Sequence, residues 1–383
     1  MASIQGKGCP GTEAVLGMAG NYTFEDDSQL LLGLVELSRT YGGPEYVRAG
    51  GGNASVKTSQ VLYIKPSGLP MAALTIDKIV ALDRAALAEV YALSADGPAA
   101  NAQAKVVEAI KRAVISSDKA RPSVETPLHD SLQWRFVVHT HPALVNGMTC
   151  SQDGRHRCAQ LFPETLWIDY VDPGISLCIE LRRAVQVYQA RFGVQPPVIF
   201  VQNHGLVIGA DSPQLVRQLH DHVMQVLASF YKRAGVPLAL PSRQVSEEQR
   251  KQATAIIQKA FGREVVVEVD GGFSCATGPL TPDHVVYARS YPLEGLPTEK
   301  AVWDYRSRFG YEPRVLTWDG LVCGVGKDLL EARTALELAQ DGALVVQLAA
   351  AFGGVRYMSE QARLFIEGWE AEAYRLKVLQ SRS

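Results

Sequence analysis

Residues 135–141 read Arg135-Phe-Val-Val-His-Thr-His141, and Pro142 follows. The apolar, β-branched run Phe136-Val-Val138 predicts a strand. Side chains on a strand alternate faces, so His139 and His141 point the same way, roughly 6.5 Å apart along the chain. Two imidazoles at that spacing can converge on one ion at about 2.0–2.1 Å per Zn–N bond. Pro142 ends regular pairing, which puts the pair near the strand end. A third imidazole, His204, lies in Asn203-His-Gly205, within a second strand predicted over 198–209. Three imidazoles with an open fourth position form a catalytic zinc site, not a closed structural one. Taken alone, His-x-His is a weak signal. His220-x-His222 shows why: it falls on a helix predicted over 214–234, where i and i+2 diverge, and reads as surface or packing. His129, His156 and His284 stand alone and read as structural.

Outward from this pair the chain reads as mixed α/β. A helix is predicted over 27–41, with Leu30, Leu31, Leu34, Val35 and Leu37 at helical spacing. The turn Arg48-Ala-Gly-Gly-Gly-Asn-Ala-Ser55 and a strand centred on Val61-Leu-Tyr-Ile64 follow, closed by Pro66-Ser-Gly68. Helices are expected over 76–92, 99–116 and 175–192, and a loop entering a short helix over 121–133. Gly235 to Arg243 is a Pro-bearing linker, and Ser246-Glu-Glu-Gln starts a new helix. Beyond it, strands are expected at Val265–Asp270, His284–Ala288, Pro313–Trp318 and Ala343–Leu348. A turn-rich stretch over 320–326 opens a helix over 327–340. The expected organisation is therefore an N-terminal arm (1–26), a metal-binding domain (27–240) and a smaller C-terminal α/β domain (245–383). The length of 383 residues agrees with two domains.

Composition excludes several classes. The net charge of −2 provides no field for nucleic acid or anionic membrane. Residues 1–13 lack the apolar block of a secretory signal, and the apolar stretch 343–352 is too short to span a bilayer, so a cytoplasmic protein is expected. The six cysteines form no Cys-x-x-Cys pair and read as reduced thiols. No Gly-x-Gly-x-x-Gly follows a strand, so nicotinamide chemistry is not implied.

Five motifs in order, Gly51-Gly-Asn-Ala-Ser55, Ile64-Lys-Pro-Ser-Gly68, Pro122-Ser-Val-Glu125, His139-Thr-His141 and Asn203-His-Gly-Leu206, resemble the class II aldolase/adducin family over residues 28–235. Arg121 to His129, Thr281-Pro-Asp-His284 and Gly324-Val-Gly-Lys327 are similar to the aldolase part of bifunctional rhamnulose-phosphate aldolase/dehydrogenase fusions. The resemblance implies a three-layer α/β/α domain with a central, mainly antiparallel sheet. It implies Zn2+, or another divalent transition metal, on His139, His141 and His204, with Glu125 as acid/base. Gly52, Asn53, Ser67, Gly68 and Ser123 would line the anionic end of a small sugar or sugar-phosphate substrate. A homo-oligomer, such as a tetramer, is implied as well.

The chemistry suits these residue types. Retro-aldol cleavage leaves negative charge on an enediolate, which a Lewis acid stabilises, while a nearby carboxylate moves a proton at carbon. Backbone N–H groups and small hydroxyls at turns bind phosphate, although glycine and asparagine are also ordinary turn residues. Without the resemblance, Glu125 reads as an acid favouring a helix N-terminus ahead of Thr126-Pro127. Two departures matter. Val124 stands where phosphate-specific relatives carry a second serine, and the general-acid tyrosine of fuculose-type aldolases has no clear counterpart, Tyr170 being a nearby candidate. Arg48 and Lys65 flank the binding turns and could assist an anion. Decarboxylation, dehydration or epimerisation at the same metal site is an alternative, and so is an adducin-like scaffold without catalysis.

Overall fold

Strand β4 (Phe136–Thr140) lies at the centre of a seven-stranded sheet of order β3-β2-β1-β4-β7-β6-β5. The other strands are β1 (Asn53–Lys57), β2 (Val61–Ile64), β3 (Val80–Asp83), β5 (Leu166–Ile168), β6 (Val198–Val201) and β7 (Gly205–Ala210). Only the β5–β6 pair is parallel. The molecule is seen in a computed structural model that describes residues 27–93, 99–116 and 121–369. The arm expected over 1–26 lies outside those residues.

Every residue of β4 is buried, because helices cover both faces of the sheet. Phe136 and Val138 join one core, with Leu34 of the Asp27–Thr40 helix and Val216 of the Pro213–Arg233 helix. Val137 joins the other, with Leu87 of the Arg84–Leu93 helix and Leu181 of the Ile175–Phe192 helix. The domain is thus an α/β/α sandwich around a mainly antiparallel sheet, as expected. Local chemistry sets the helix ends. Ser212 accepts a hydrogen bond from the Leu215 amide ahead of Pro213. Gly193 stops the Ile175–Phe192 helix in the left-handed region, at φ 76°.

A second, four-stranded sheet has the order β8-β11-β10-β9: β8 (Val266–Gly271), β9 (Leu293–Glu294), β10 (Val315–Trp318) and β11 (Leu321–Gly326). The Glu247–Phe261 and Glu299–Phe309 helices pack on one face. The Leu329–Ala349 helix packs on the other through Ala335 and Leu336, while its Val345 and Leu348 enter the first core. A helix shared by two cores is apolar nearly all round.

That sharing explains one correction. Ala343–Leu348 is helix, not strand: its continuous apolar run is buried on several sides, a pattern common to buried strands and buried helices. The helical run Leu329–Phe352 is long and apolar enough to cross a membrane by length and composition, and 61% of its most apolar window is buried inside the protein. His284–Ala288 is a single π-helical turn, not a strand. The stretch 320–326 is mostly strand β11, joined to β10 by Asp319-Gly320, both residues at positive φ (51° and 72°), as a two-residue hairpin requires. Residues 76–92 divide into a 3-10 turn, β3 and a helix. The strand expected over 198–209 is two antiparallel strands, β6 and β7, which fold back at Gln202-Asn-His204.

Candidate metal centre

The β6–β7 connection explains Asn203-His-Gly205. Asn203 sits at φ 50°, a conformation that asparagine tolerates better than most residues. Its Nδ2 donates to the Leu280 and Arg356 carbonyls at 2.9 and 2.8 Å, which fixes the turn. A Cβ on Gly205 would come within 2.4 Å of the Thr140 carbonyl oxygen and 2.7 Å of His141 Cδ2, so only glycine lets the turn close on β4. His204 is thereby carried to the end of β4.

His139 and His141 face it. The Nε2 atoms of His139 and His141 are 3.0 Å apart, and those of His139 and His204 are 3.2 Å apart. All three side chains are buried, and they are the group of metal-capable ligands found among the described residues. Tetrahedral coordination at about 2.05 Å places donor nitrogens about 3.3 Å apart, close to what is seen.

The ring tautomers support the same conclusion. His139 Nδ1 lies 2.9 Å from the Leu206 carbonyl, which can only accept, so Nδ1 carries the proton. Burial holds this imidazole below the usual histidine range, with the Glu125 carboxylate opposing, so the ring is neutral and its Nε2 presents a lone pair. His141 Nδ1 lies 2.6 Å from Asp283 Oδ2, which holds that ring with its Nε2 toward the Nε2 of His139. A single cation at the point where the three Nε2 atoms converge would be a partner common to all of them. The donor set therefore fits a divalent metal.

Glu125 completes the cluster. Its Oε1 is 3.6 Å from His139 Nε2 and 3.5 Å from His204 Nε2. It occupies the N-cap of the Thr126–Ser131 helix, yet its side chain makes no capping hydrogen bond, so it serves the imidazoles rather than the helix end. Ser123 holds this turn. Its Oγ accepts from the Glu125 amide at 3.2 Å, and its carbonyl accepts from Thr126 Oγ1 at 2.6 Å.

The other candidates lie on neighbouring turns. Asn53 pairs with His139 across β1 and β4, and its Oδ1 accepts from the Ala54 amide at 3.0 Å. Gly52 has φ 68°, and a Cβ there would meet Val47, Met71 and the His139 carbonyl oxygen within 2.9 Å. Ser67 and Gly68 join the Glu125 segment through a Pro66–Pro122 bridge and a bond from the Ser67 amide to the Arg121 carbonyl. Arg48 and Lys65 have structural partners. Arg48 Nε lies 3.5 Å from Asp341, and the buried Lys65 donates to the Pro66 and Leu69 carbonyls. Tyr170 packs in the cluster that includes Val124 and donates to Asp172 at 3.0 Å. The histidines read as structural stay apart from the imidazole trio. His220 stacks on Tyr41 and bonds Thr140 Oγ1, His129 bonds Ser55, and His284 bonds Thr281.

Asp283 was not among the sequence-derived site residues. It comes from the C-terminal part of the chain, 142 residues from His141, and fixes that ring. A Cβ on Gly51 would lie 2.3 Å from its Oδ2, so the glycine turn leaves room for this carboxylate. The signal was Thr281-Pro-Asp-His284, a motif noted for its likeness but given no role.

A family model described as the class II aldolase and adducin N-terminal domain matches residues 33–228. An uncharacterized oxidoreductase of Bacillus subtilis (strain 168), YuxG, is 22% identical over 389 residues, which cover 85% of this chain and 55% of that protein. The chain thus spans about half the length of this relative. Among solved structures, the N-terminal class II aldolase domain of a conserved Thermoplasma acidophilum protein is similar, with 23% identity, a TM-score of 0.45 and coverage of 56% of this chain and 97% of that one. An L-fuculose 1-phosphate aldolase aligns at 15% identity and a TM-score of 0.38, over 61% of this chain and 97% of that one.

Proposed function

This chain belongs to the class II aldolase and adducin family, and on that premise we propose that it is a zinc-dependent aldolase, making or breaking a carbon–carbon bond in a ketose or ketose 1-phosphate. The observation that carries the proposal is the meeting of three imidazole Nε2 atoms, 3.0 and 3.2 Å apart, with a buried carboxylate oxygen 3.5 Å away.

His139, His141 and His204 would hold the metal through Nε2. When bound there, the metal supplies Lewis-acid stabilisation for the negative charge of an enediolate. Three neutral imidazoles leave that cationic charge undiminished, and Asp283 keeps the His141 ring in one orientation. Glu125 Oε1 takes the proton from, or returns it to, the substrate carbon. The turns at Gly52-Asn53 and Ser67-Gly68, with Ser123, bind the anionic end of the substrate through N–H and hydroxyl groups.

We also place the chain beside the aldolase part of rhamnulose-phosphate aldolase/dehydrogenase fusions, on its Thr281-Pro-Asp-His284 and Gly324-Val-Gly-Lys327 motifs. A homo-oligomeric assembly is part of the same proposal.

Proton exchange tests the assignment. Dihydroxyacetone phosphate in D2O with the metal-loaded protein should exchange a carbon-bound hydrogen, followed by NMR. Glu125→Gln should keep the metal and slow exchange by about 10²–10⁴-fold. Unchanged exchange in that variant removes Glu125 as the base. A metal-loaded wild type that neither exchanges nor condenses with any of several aldehydes removes the aldolase assignment.

A further inference from the structure

Away from the imidazole cluster, the C-terminal part of the chain forms a half-open cavity of 190 Å³ whose lining includes four cationic side chains, Arg263, Arg289, Arg314 and Lys327, and two carboxylates, Glu312 and Glu331. Glu312 is taken by Arg263, at 2.5 Å. Glu331 accepts from the Lys327 amide at 3.1 Å and lies 3.9 Å from Lys327 Nζ. Arg289 and Arg314 remain. Among the described residues, neither has a carboxylate within ion-pair distance.

The two arginines are held at a cost. Arg289 closes the π-helical turn at φ 69° and ψ 163°, a region that essentially only glycine occupies without strain. Its Nε is buried without a hydrogen-bond partner, and its guanidinium lies 4.4 Å from the centre of the Tyr311 ring. Arg314 makes one long bond, from Nη1 to the Tyr287 carbonyl at 3.3 Å. Burial, and then the like charge of Arg289, depress its pKa below the usual arginine range, with the more distant Glu331 and Asp328 carboxylates only partly opposing them. An unpaired, partly buried pair of guanidinium groups destabilises a fold unless an anion joins them. The lining carries a net charge of +2, four cations less two carboxylates, which matches a dianion.

The backbone adds to this. Gly326, Lys327 and Glu331 line the cavity where β11 ends and the Leu329–Ala349 helix begins. A Cβ on Gly326 would stand 2.5 Å from the Ala332 amide nitrogen, so glycine lets the strand end press against the first helical turn. The rim is thus shaped by backbone, with Asp328 capping the helix by accepting from the Glu331 amide at 2.8 Å.

We infer that this cavity is a second anion site, which binds the phosphate group of a small phosphorylated molecule between Arg289 and Arg314. Planar guanidinium groups each donate two parallel N–H bonds to phosphate oxygens in matched geometry, and the Tyr311 ring holds one guanidinium in place. Lys327 adds a point charge at the rim. The site is independent of the metal assignment.

Inorganic phosphate and glycerol phosphate are the probes, with sodium chloride at matched ionic strength as the control and succinate as a carboxylate dianion. Wild-type chain should show a Tm that rises with phosphate concentration, and with glycerol phosphate as well. Arg314→Gln and Lys327→Met should each weaken phosphate binding at least tenfold in calorimetry. Arg289→Gly should abolish the phosphate-dependent rise while raising the Tm without phosphate, because glycine accepts that backbone conformation. His139→Ala, which disables the metal centre, should bind phosphate at this site as wild type does. The inference is overturned if chloride or succinate reproduces the phosphate effect. It is also overturned if phosphate binding survives in Arg314→Gln and Lys327→Met, or if it is lost only in His139→Ala.

Discussion

Asp283 and Gly51 should act on metal affinity through a single contact. Asp283 Oδ2 is 2.6 Å from His141 Nδ1, and both side chains are buried. Removing such an outer partner of a metal-bound imidazole typically weakens metal binding 10–100-fold, about 1.4–2.7 kcal/mol. Asp283→Ala should fall in that range, and Asp283→Asn, which keeps the volume, at its lower end. Gly51→Ala places a methyl group 2.3 Å from Oδ2 and 3.2 Å from Cγ of the same carboxylate. The carboxylate must then move, and His141 loses its hold without being touched. Gly51→Ala should therefore weaken metal binding about tenfold in the wild-type background and far less in Asp283→Ala. The coupling in this double-mutant cycle should reach about 1 kcal/mol or more. The assay is competition between protein and a chromophoric chelator for Zn2+ at fixed pH, with thermal melts to confirm folding. Additive losses, or wild-type affinity in Asp283→Ala, would refute the linkage.

Two further outcomes concern stability. Burial pushes the His220 pKa down to about 3, below its unfolded value. The unfolded chain then binds the extra proton between those two values, so stability is lost as pH falls below about 6.5, by about 2 kcal/mol at pH 5. Phe at position 220 keeps the ring stacked on Tyr41 and cannot titrate, so His220→Phe should flatten the change in urea stability between pH 7.5 and 5 by about that amount; an unchanged slope would count against it. Asn203→Ala loses two bonds to carbonyls and leaves alanine at φ 50°, and should cost about 2–4 kcal/mol in chemical denaturation. A loss below about 0.5 kcal/mol would show that the β6–β7 turn is held by other contacts.

The large sheet was readable because its decisive stretch is short and unambiguous. Phe136-Val-Val138, with two β-branched residues and Pro142 soon after, reads as a buried strand, and alternation then places the imidazoles on one face. Glycines and asparagine marked the turns for a physical reason: Gly52, Gly68 and Asn203 do adopt positive φ. Legibility failed where a segment is buried on several sides. Ala343–Leu348 lost its periodicity because two cores share its helix. Asp319-Gly320 is a hairpin signal, and the glycines at 320, 324 and 326 hide the strand that follows it. Asp283 stands in a motif, Thr281-Pro-Asp-His284, that carries a likeness but no role, because nothing in 142 residues of separation says that its carboxylate returns to His141. The imidazole trio was legible as a pair and a partner, whereas its support from the C-terminal part required the fold.

Metal content tests the central claim most directly. The chain purified without chelator and analysed by mass spectrometry of its metals should carry close to one divalent transition ion, zinc in the first instance, per chain. His139→Ala should carry none while remaining folded. Wild-type protein that stays empty when offered zinc, manganese or cobalt, or a His139→Ala variant that keeps a full complement, would contradict it.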